Sequence, residues 1–353
     1  MIIDAKFLFT ICQTGAESAL KAEIARLWPS FRFAFSRPGF VTFKLPEGLR
    51  LAADFDLQST FARTFGFSLG KVSGDDANEL TQQAWELAEQ QKPDHLHVWQ
   101  RDWTVPGENG FEPGLTALAD EIGQLLANAN PVKNRSPLPV NQLMSSGETA
   151  LDCVLVQPNE WWIGFHQATA VPQHWPGGVP IIPPKVSAVS RAYLKMIEAL
   201  EWSRMPVRRG DVCVEVGSSP GGAAEALLEL GLKVLGVDPA EMDEQVLAHQ
   251  NFVHLRKRAA DLKRREFRDV KWLFADPNIS PQEMLATIED IVTYREVHVR
   301  GLLLTLKLSE WSVAEKIPDF VERVRSWGYS EVASRQLAFN RQEICIAARR
   351  GPR

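Results

Sequence analysis

A glycine-rich loop carries the clearest chemical signal in the sequence. The run Val214-Glu215-Val216-Gly217-Ser218-Ser219-Pro220-Gly221-Gly222 follows a segment with the pattern of a buried strand and leads into a helical pattern. Glycines let the backbone approach a ligand closely, and the N–H groups in the first turn of a helix are free to bind it. Asp238 ends the next predicted strand, 21 residues after Gly217, where a carboxylate can accept hydrogen bonds from a ribose diol.

The loop predicts a ligand that contains a ribose but no pyrophosphate. It lacks the G-x-G-x-x-G form of a dinucleotide site because Ser219 and Pro220 interrupt it, and a proline has no N–H to donate to a phosphate. S-adenosylmethionine meets this description, and we expect it as the cofactor. The predicted cofactor-binding residues of this region are Gly217, Ser219, Pro220, Gly221, Gly222 and Asp238.

Two more groups stand at the carboxyl ends of predicted strands, the edge at which doubly wound sheets bind their ligands. Asp276 follows an apolar strand in Phe274-Ala275-Asp276-Pro277-Asn278, and Lys307 directly follows the apolar residues 301–306. A lysine in that position either extends to solvent or points into the cleft. Burial in the cleft would lower the pKa of Lys307 towards that of a usable general base.

The segments that must position these groups alternate between strand and helix from about residue 187 onwards. This order predicts an α/β fold, a Rossmann-like doubly wound and mostly parallel sheet with an antiparallel last strand. The last two strands are antiparallel because only residues 338–342 connect them. Strands are predicted at residues 211–216, 233–237, 271–275, 301–306, 331–337 and 343–348, and helices at residues 189–200, 223–230, 280–294 and 313–327.

The order of strands and helices in the first half of the chain predicts a separate α+β accessory domain at residues 1–170, or two small ones. Prolines and glycines are dense in residues 171–186, which predicts a linker, and residues 187–353 form the second domain. In the accessory domain, strands are predicted at residues 6–12, 31–35, 40–43, 95–99, 150–157 and 161–167, and helices at residues 16–27, 79–91 and 114–128.

Composition excludes several classes of protein. The 353 residues carry a net charge of −5, with 24% charged and 45% hydrophobic residues, which argues against disorder, collagen and coiled coil. Charged residues near the N-terminus argue against a signal peptide. The sequence contains no run of about 18 apolar residues, so we expect no membrane span. We therefore expect a cytoplasmic protein. Because no C-x-x-C pair occurs among Cys12, Cys153, Cys213 and Cys345, we expect neither a metal site nor a disulfide framework.

Four residues together resemble a known catalytic set. Lys195, in Ser190-Arg191-Ala192-Tyr193-Leu194-Lys195, precedes the glycine-rich loop, and Asp276, Lys307 and Glu343 follow it. Alone, Lys195 reads as a helix-surface lysine and Glu343 as a strand-edge glutamate. In this order the four resemble the Lys-Asp-Lys-Glu tetrad of the FtsJ-type RNA ribose 2′-O-methyltransferases, over about residues 187–348.

This resemblance implies transfer of a methyl group from S-adenosylmethionine to a ribose hydroxyl. Lys307 would be the base, Asp276 and Lys195 would tune its charge, and Glu343 would orient the set. Asp276 would also face the cofactor, and Asp261, in Ala259-Ala260-Asp261-Leu262, matches the family position that meets the adenine amino group. The sequence departs from the family at Ser218-Ser219, where relatives usually have Ala-Ala or Ala-Cys, and at Ala223, where an aromatic residue is common.

The arrangement of an accessory domain followed by a proline-rich linker is similar to the branch of this family that methylates large-subunit ribosomal RNA in bacteria. The run Gln13-Thr14-Gly15-Ala16-Glu17-Ser18-Ala19-Leu20 resembles the start of that branch's THUMP-like RNA-binding domain. RNA is the expected partner, and the oligomeric state stays open. Residues 1–180 hold 13 Lys/Arg against 20 Asp/Glu, so this half would not bind RNA by charge alone. Basic residues gather instead around Asp261, at residues 256–258 and 263–265.

Two other functions compete with ribose methylation. An RNA base N-methyltransferase places Asp/Asn-Pro-Pro and an aromatic residue at the strand end, whereas this chain has Asp276-Pro277-Asn278-Ile279. A catalytically inactive RNA-binding module would be expected to have lost part of the tetrad, and all four residues are present.

Overall fold

The computed structural model describes residues 2–3, 5–52, 54–131, 137–183, 185 and 188–351. The chain divides into two compact units, Met1–Ile181 and Ile182–Arg353. This division falls within the proline-rich segment predicted as a linker. Pro172, Trp175 and Gly178 are nevertheless buried within the first unit, so this part of the segment packs rather than forming an exposed connection. Residues 184 and 186 of the predicted linker, and residue 187 at the start of the predicted second domain, lie outside the described residues.

The first unit is built on a seven-stranded mixed sheet in the order β3-β4-β2-β6-β9-β8-β7. All neighbouring strands are antiparallel except the parallel pair β7 and β8, while β1 and β5 form a separate antiparallel pair. Helices α2 and α3 pack on one face of the sheet, over a core that includes Leu96, Leu151 and Trp161. The strands are β1 Ile2–Ile3, β2 Phe7–Ile11, β3 Arg32–Arg37, β4 Phe40–Lys44, β5 Leu51–Ala52, β6 Thr64–Ser73, β7 His95–Gln100, β8 Thr149–Gln157 and β9 Glu160–Gln167, and the helices are α1 Glu17–Leu27, α2 Ala77–Leu87 and α3 Ala117–Asn128.

Strand β6 was not predicted, although it lies in the middle of this sheet. It contains Gly66 and Gly70, and glycine inside a strand weakens the sequence pattern. The structure gives the reason for Gly66: a Cβ atom there would lie 2.5 Å from Cζ of Phe9 on the neighbouring strand. The aromatic ring of Phe9 fills the space that a side chain on β6 would need.

The second unit contains the predicted doubly wound sheet, in the order β12-β11-β10-β13-β14-β16-β15. Six of the seven strands run in one direction, and β16 runs antiparallel to its neighbours β14 and β15, which confirms the fold class. The strands are β10 Val212–Val216, β11 Lys233–Val237, β12 Phe252–Leu255, β13 Trp272–Ala275, β14 Gly301–Lys307, β15 Glu331–Arg335 and β16 Glu343–Arg349, and the helices are α4 Ala192–Ser203, α5 Gly222–Glu229, α6 Glu244–Leu247, α7 Pro281–Val292 and α8 Ile317–Ser326. The sequence did not predict the four-residue elements α6 and β12.

Local chemistry fixes the ends of several of these helices. Ser280 caps α7 by accepting a hydrogen bond from the Glu283 N–H, and Pro281 occupies the first helical position, where no N–H is needed. Helix α5 begins directly after Gly221, so the last residue of the glycine-rich loop, Gly222, is the first residue of the helix. Within the part of the chain that the structure describes, no helix is both long and apolar enough to cross a bilayer.

Candidate active site

Four predicted residues meet at the carboxyl edge of the parallel strands in the second unit. Asp276 directly follows β13, Lys307 ends β14, and Lys195 extends from α4. Glu343 begins β16, and the antiparallel register pairs it with Lys307. The reversed direction of β16 therefore brings the first residue of that strand to the edge where β13 and β14 end.

The four side chains form a closed ring, here called the lysine–carboxylate ring, in which each lysine contacts both carboxylates. The contacts are Lys195 Nζ–Asp276 Oδ2 at 2.5 Å, Lys195 Nζ–Glu343 Oε1 at 3.0 Å, Lys307 Nζ–Asp276 Oδ1 at 2.7 Å and Lys307 Nζ–Glu343 Oε2 at 2.5 Å. Two cations alternate with two anions, so the charges compensate one another. The Lys307 side chain is 26% exposed and that of Lys195 is 14% exposed, which makes Lys307 the lysine more open to a substrate.

The pKa of Lys307 moves in the direction opposite to the one predicted. Burial alone lowers this pKa, but Asp276 and Glu343 outweigh burial and hold it above the ordinary lysine value. Burial likewise raises the pKa of Glu343, and Lys195 and Lys307 reverse that effect, so the pKa of this carboxyl lies below its ordinary value. Burial thus acts on Lys307 in the predicted direction, but the predicted net decrease in its pKa is wrong because it left out the two carboxylates.

The glycine-rich loop lies directly against the end of β13. Gly217 has φ of +80°, and a Cβ atom there would lie 2.6 Å from Cα of Pro277. A Cβ atom at Gly222 would lie 2.2 Å from Oγ of Ser190. Any larger residue at these positions would push the loop away from Asp276 and from the segment that precedes α4.

Asp238, directly after β11, is hydrogen-bonded to this loop. Its Oδ2 accepts a hydrogen bond from the Ser219 N–H at 3.1 Å, and its Oδ1 accepts one from the Ala240 N–H at 2.8 Å. The side chain remains half-buried, so a carboxylate faces the space beside the loop. A glycine-lined turn, the start of a helix and a strand-end carboxylate are the groups that a nucleoside-bearing cofactor requires. The residues present therefore fit S-adenosylmethionine.

Asp261 lies apart from the lysine–carboxylate ring. It ends the short 3₁₀ helix Ala259–Asp261 and is exposed, with Arg258 and Lys263 beside it. The structure thus places it in the basic run, in a position open to a ligand.

Glu215 is a residue of this region that the sequence analysis missed. It lies in the middle of β10, is 3% exposed, and its Oε2 has no hydrogen-bond partner among the described residues. Burial, followed by repulsion from Asp276 and Asp238, raises its pKa well above the ordinary value. It lines a small cavity together with Lys195 and Asp276. The sequence offered one sign of Glu215, an acidic residue between two valines of a predicted buried strand. Burying a carboxyl there costs free energy unless a partner compensates it.

A second buried cluster, formed by His97, Asp152 and His166, lies in the first unit. His166 Nδ1 is 2.8 Å from Asp152 Oδ2, and His166 Nε2 is 2.8 Å from the Gln173 carbonyl oxygen. Burial and then repulsion from His166 lower the pKa of His97 to about 3, so this ring is neutral. Ligand atoms of the three residues lie within 4.8 Å of one another. The cluster ties β7, β8 and β9 to the proline-rich segment, and the sequence analysis did not single it out.

Comparison with known proteins identifies the second unit. Residues 188–309 match the family model described as FtsJ-like methyltransferase. The chain carries an FtsJ-like methyltransferase domain. This match confirms the family resemblance and, with it, S-adenosylmethionine as the cofactor. It includes the glycine-rich loop, Asp238 and three members of the lysine–carboxylate ring, whereas Glu343 lies beyond its end.

The chain is similar to several curated proteins named ribosomal RNA large subunit methyltransferase M. The protein of Halorhodospira halophila is 31% identical over 184 residues, which cover 50% of this chain and 51% of the relative. That of Aromatoleum aromaticum is 30% identical and covers 48% of each chain. The chain thus spans about half the length of these two relatives. The protein of Xanthomonas axonopodis is 26% identical over 97% of this chain and 99% of its own length.

The chain also shows a distant similarity to a solved structure. The fibrillarin pre-rRNA processing protein of Methanococcus jannaschii superposes with a TM-score of 0.37 at 12% identity, covering 63% of this chain and 87% of that one. A likeness at this level is too remote to support an inference about function.

Proposed function

We propose that the protein is a S-adenosylmethionine-dependent RNA 2′-O-methyltransferase that modifies a ribose of large-subunit ribosomal RNA. The observation that carries this proposal is the lysine–carboxylate ring beside the glycine-rich loop, within an FtsJ-like methyltransferase domain. The name shared by the relatives supports the choice of RNA.

The reaction requires a methyl donor and a base at the same strand edge. S-adenosylmethionine supplies a methyl group on a positively charged sulfur, which makes that carbon electrophilic. A ribose hydroxyl is a weak nucleophile at neutral pH, so its proton must leave as the new carbon–oxygen bond forms. We assign the acceptance of that proton to Nζ of Lys307, the more exposed lysine of the ring.

The other members of the ring position this lysine and set its charge. Asp276 and Glu343 hold Nζ of Lys307 between two carboxylate oxygens, at 2.7 and 2.5 Å. Lys195 contacts the remaining oxygen of each carboxylate and partly neutralises both. Because Lys307 has a raised pKa, its neutral form is a minor species at neutral pH. The rate should therefore rise with pH through the apparent pKa of the coupled set.

The cofactor would lie along the edge formed by β10, β11 and β13. We assign contacts with it to Gly217, Ser219, Pro220, Gly221 and Gly222 in the loop, to Asp238 for its ribose, to Asp261 for its adenine, and to Asp276 next to the base. Glu215 joins this set, because it lines the adjacent cavity and its buried Oε2 has no hydrogen-bond partner among the described residues.

RNA would contact the basic run near Asp261 in addition to the accessory unit. Arg256, Arg264 and Arg268 in this stretch pair with acidic side chains. Lys257, Arg258, Lys263 and Arg265 are exposed and have no ion-pair partner among the described residues. Exposed cations without an ion-pair partner are suited to contacts with RNA phosphates. For residues 1–170 we propose a THUMP-like role in docking the substrate. This domain would add RNA contacts to the few that the basic run near Asp261 can make.

The test is to incubate the protein with labelled S-adenosylmethionine and large-subunit ribosomal RNA from cells that lack the protein, and then to map the modification by mass spectrometry. We expect a single 2′-O-methylribose in that RNA. Lys307→Ala should abolish it, while Lys233→Ala, an exposed lysine at the start of β11, should leave it unchanged. Methyl groups on a base nitrogen would favour the N-methyltransferase alternative. Cofactor binding without transfer to any RNA would favour the inactive RNA-binding module.

A further inference from the structure

A second cavity in the methyltransferase unit lies at the opposite edge of the sheet, where the parallel strands begin. Its volume is about 620 Å³, within the range of small-molecule sites. Asp211 and Lys271 immediately precede β10 and β13, and Arg300 immediately precedes β14. The antiparallel β16 contributes its last residue, Arg349. This basic cavity is lined by Pro206, Arg208, Asp211, Lys271, Trp272, His298, Arg300, Arg349, Arg350 and Gly351.

The lining of the basic cavity is strongly positive. It holds four arginines, one lysine and one histidine, against a single carboxylate, Asp211. That carboxylate is already occupied: its oxygens accept hydrogen bonds from Lys271 Nζ at 2.5 Å, from Trp272 Nε1 at 2.8 Å and from the Arg208 N–H at 3.1 Å. Asp211 therefore neutralises Lys271 but leaves the charge of the arginines in place.

The arginines differ in how their charges are compensated. Arg349 pairs with Glu331, and the guanidinium of Arg350 lies over the Tyr329 ring. Arg350 also has a buried Nε without a hydrogen-bond partner in the described part of the chain. The side chains of Arg208 and Arg300 are exposed and have no carboxylate partner among the described residues. Two guanidiniums without a carboxylate partner give the cavity charge-assisted donors of the kind that phosphate oxygens accept.

We propose that the basic cavity is a binding site for a phosphate group, carried either by a free nucleotide or by a polynucleotide backbone. It lies at the edge of the sheet opposite to the lysine–carboxylate ring, so it is a separate site. It does not depend on the proposed ribose methylation.

The test uses inorganic pyrophosphate as the probe and calorimetry as the measurement, on the full-length protein. The variant Arg208→Gln/Arg300→Gln removes the two free charges from the cavity. The matched control Arg204→Gln/Arg295→Gln removes two exposed charges that lie within five residues of them in sequence but do not line the cavity. All four side chains are exposed, so both double variants should unfold at the wild-type temperature.

We expect the wild type and the control to bind pyrophosphate within about twofold of each other, and the cavity variant to bind it at least about tenfold more weakly, because it loses two charge-assisted partners. Equal affinities of the two double variants, or no binding by the wild type, would overturn the proposal. A second measurement distinguishes the source of the phosphate. Displacement of pyrophosphate by an octaribonucleotide but not by adenosine monophosphate assigns the cavity to an RNA backbone, and the reverse assigns it to a free nucleotide.

Discussion

Replacing Glu343 with glutamine tests whether the carboxylates of the ring control the base. Glu343 Oε2 lies 2.5 Å from Lys307 Nζ, and its side chain is only 8% exposed. Its pKa lies below the ordinary value because Lys195 and Lys307 outweigh the effect of burial, so it is ionised throughout the range of an activity assay. Glu343→Gln therefore removes a full negative charge at nearly constant shape.

The size of the effect follows from Coulomb's law. Two unit charges about 4 Å apart interact by about 4 kcal/mol at an effective dielectric constant of about 20. Glu343 divides its charge between two lysines, and Lys307 is 26% exposed, so we take about half of this energy for Lys307. One pKa unit corresponds to about 1.4 kcal/mol. The pKa of Lys307 should therefore fall by about 1–2 units in the variant.

The assay is the pH dependence of turnover at saturating RNA and cofactor. If Lys307 must be neutral, the rising limb of the wild-type profile should move to lower pH by about 1–2 units in Glu343→Gln. The maximal rate should also decrease, because the amide nitrogen of glutamine cannot accept a hydrogen bond from a lysine. The control Glu296→Gln breaks an exposed ion pair with Arg268 and should leave the pH of the rising limb unchanged. An unchanged apparent pKa in Glu343→Gln would refute the role of this carboxylate in tuning the base.

Four further outcomes are expected. Lys307→Arg should lower turnover by about 100-fold or more with unchanged cofactor affinity, because guanidinium stays protonated; near-normal turnover at neutral pH would show that Lys307 only positions the substrate. Asp238→Ala should weaken S-adenosylmethionine binding by about 1–3 kcal/mol in calorimetry, and tight binding of NAD in its place would contradict the cofactor assignment. In the first unit, Asp102→Ala should lower the free energy of unfolding by about 3–5 kcal/mol, because it removes the negative charge that compensates the buried guanidinium of Arg63, 2.6 Å away. Glu160→Ala, which breaks an exposed ion pair, should lower it by about 1 kcal/mol or less in the same urea titration. Similar losses in the two variants would argue against burial as the cause. A fragment starting at Ile182, the first residue of the second compact unit, should bind cofactor but methylate RNA poorly, and full activity would assign another role to the first unit.

The sequence by itself was sufficient for the features that depend on neighbouring residues. The glycine-rich loop, Asp238 and the strand-end positions of Asp276 and Lys307 could be predicted because strand, turn and helix signals adjoin one another along the chain. The parallel sheet followed from the alternation of these elements. Strand β6 and the edge strand β12 could not be predicted from the sequence, because glycines interrupt β6 and β12 has only four residues.

Tertiary structure decided the features that depend on residues far apart in the chain. Lys195 reaches Asp276 across 81 residues and Glu343 across 148. Only the antiparallel register of β16 places Glu343 opposite Lys307, and the family resemblance had anticipated the four residues but not these contacts. The sign of the Lys307 pKa shift was missed for the same reason. Burial is a property that a strand pattern can indicate, whereas the electric field at a side chain depends on every charge that the fold brings near it.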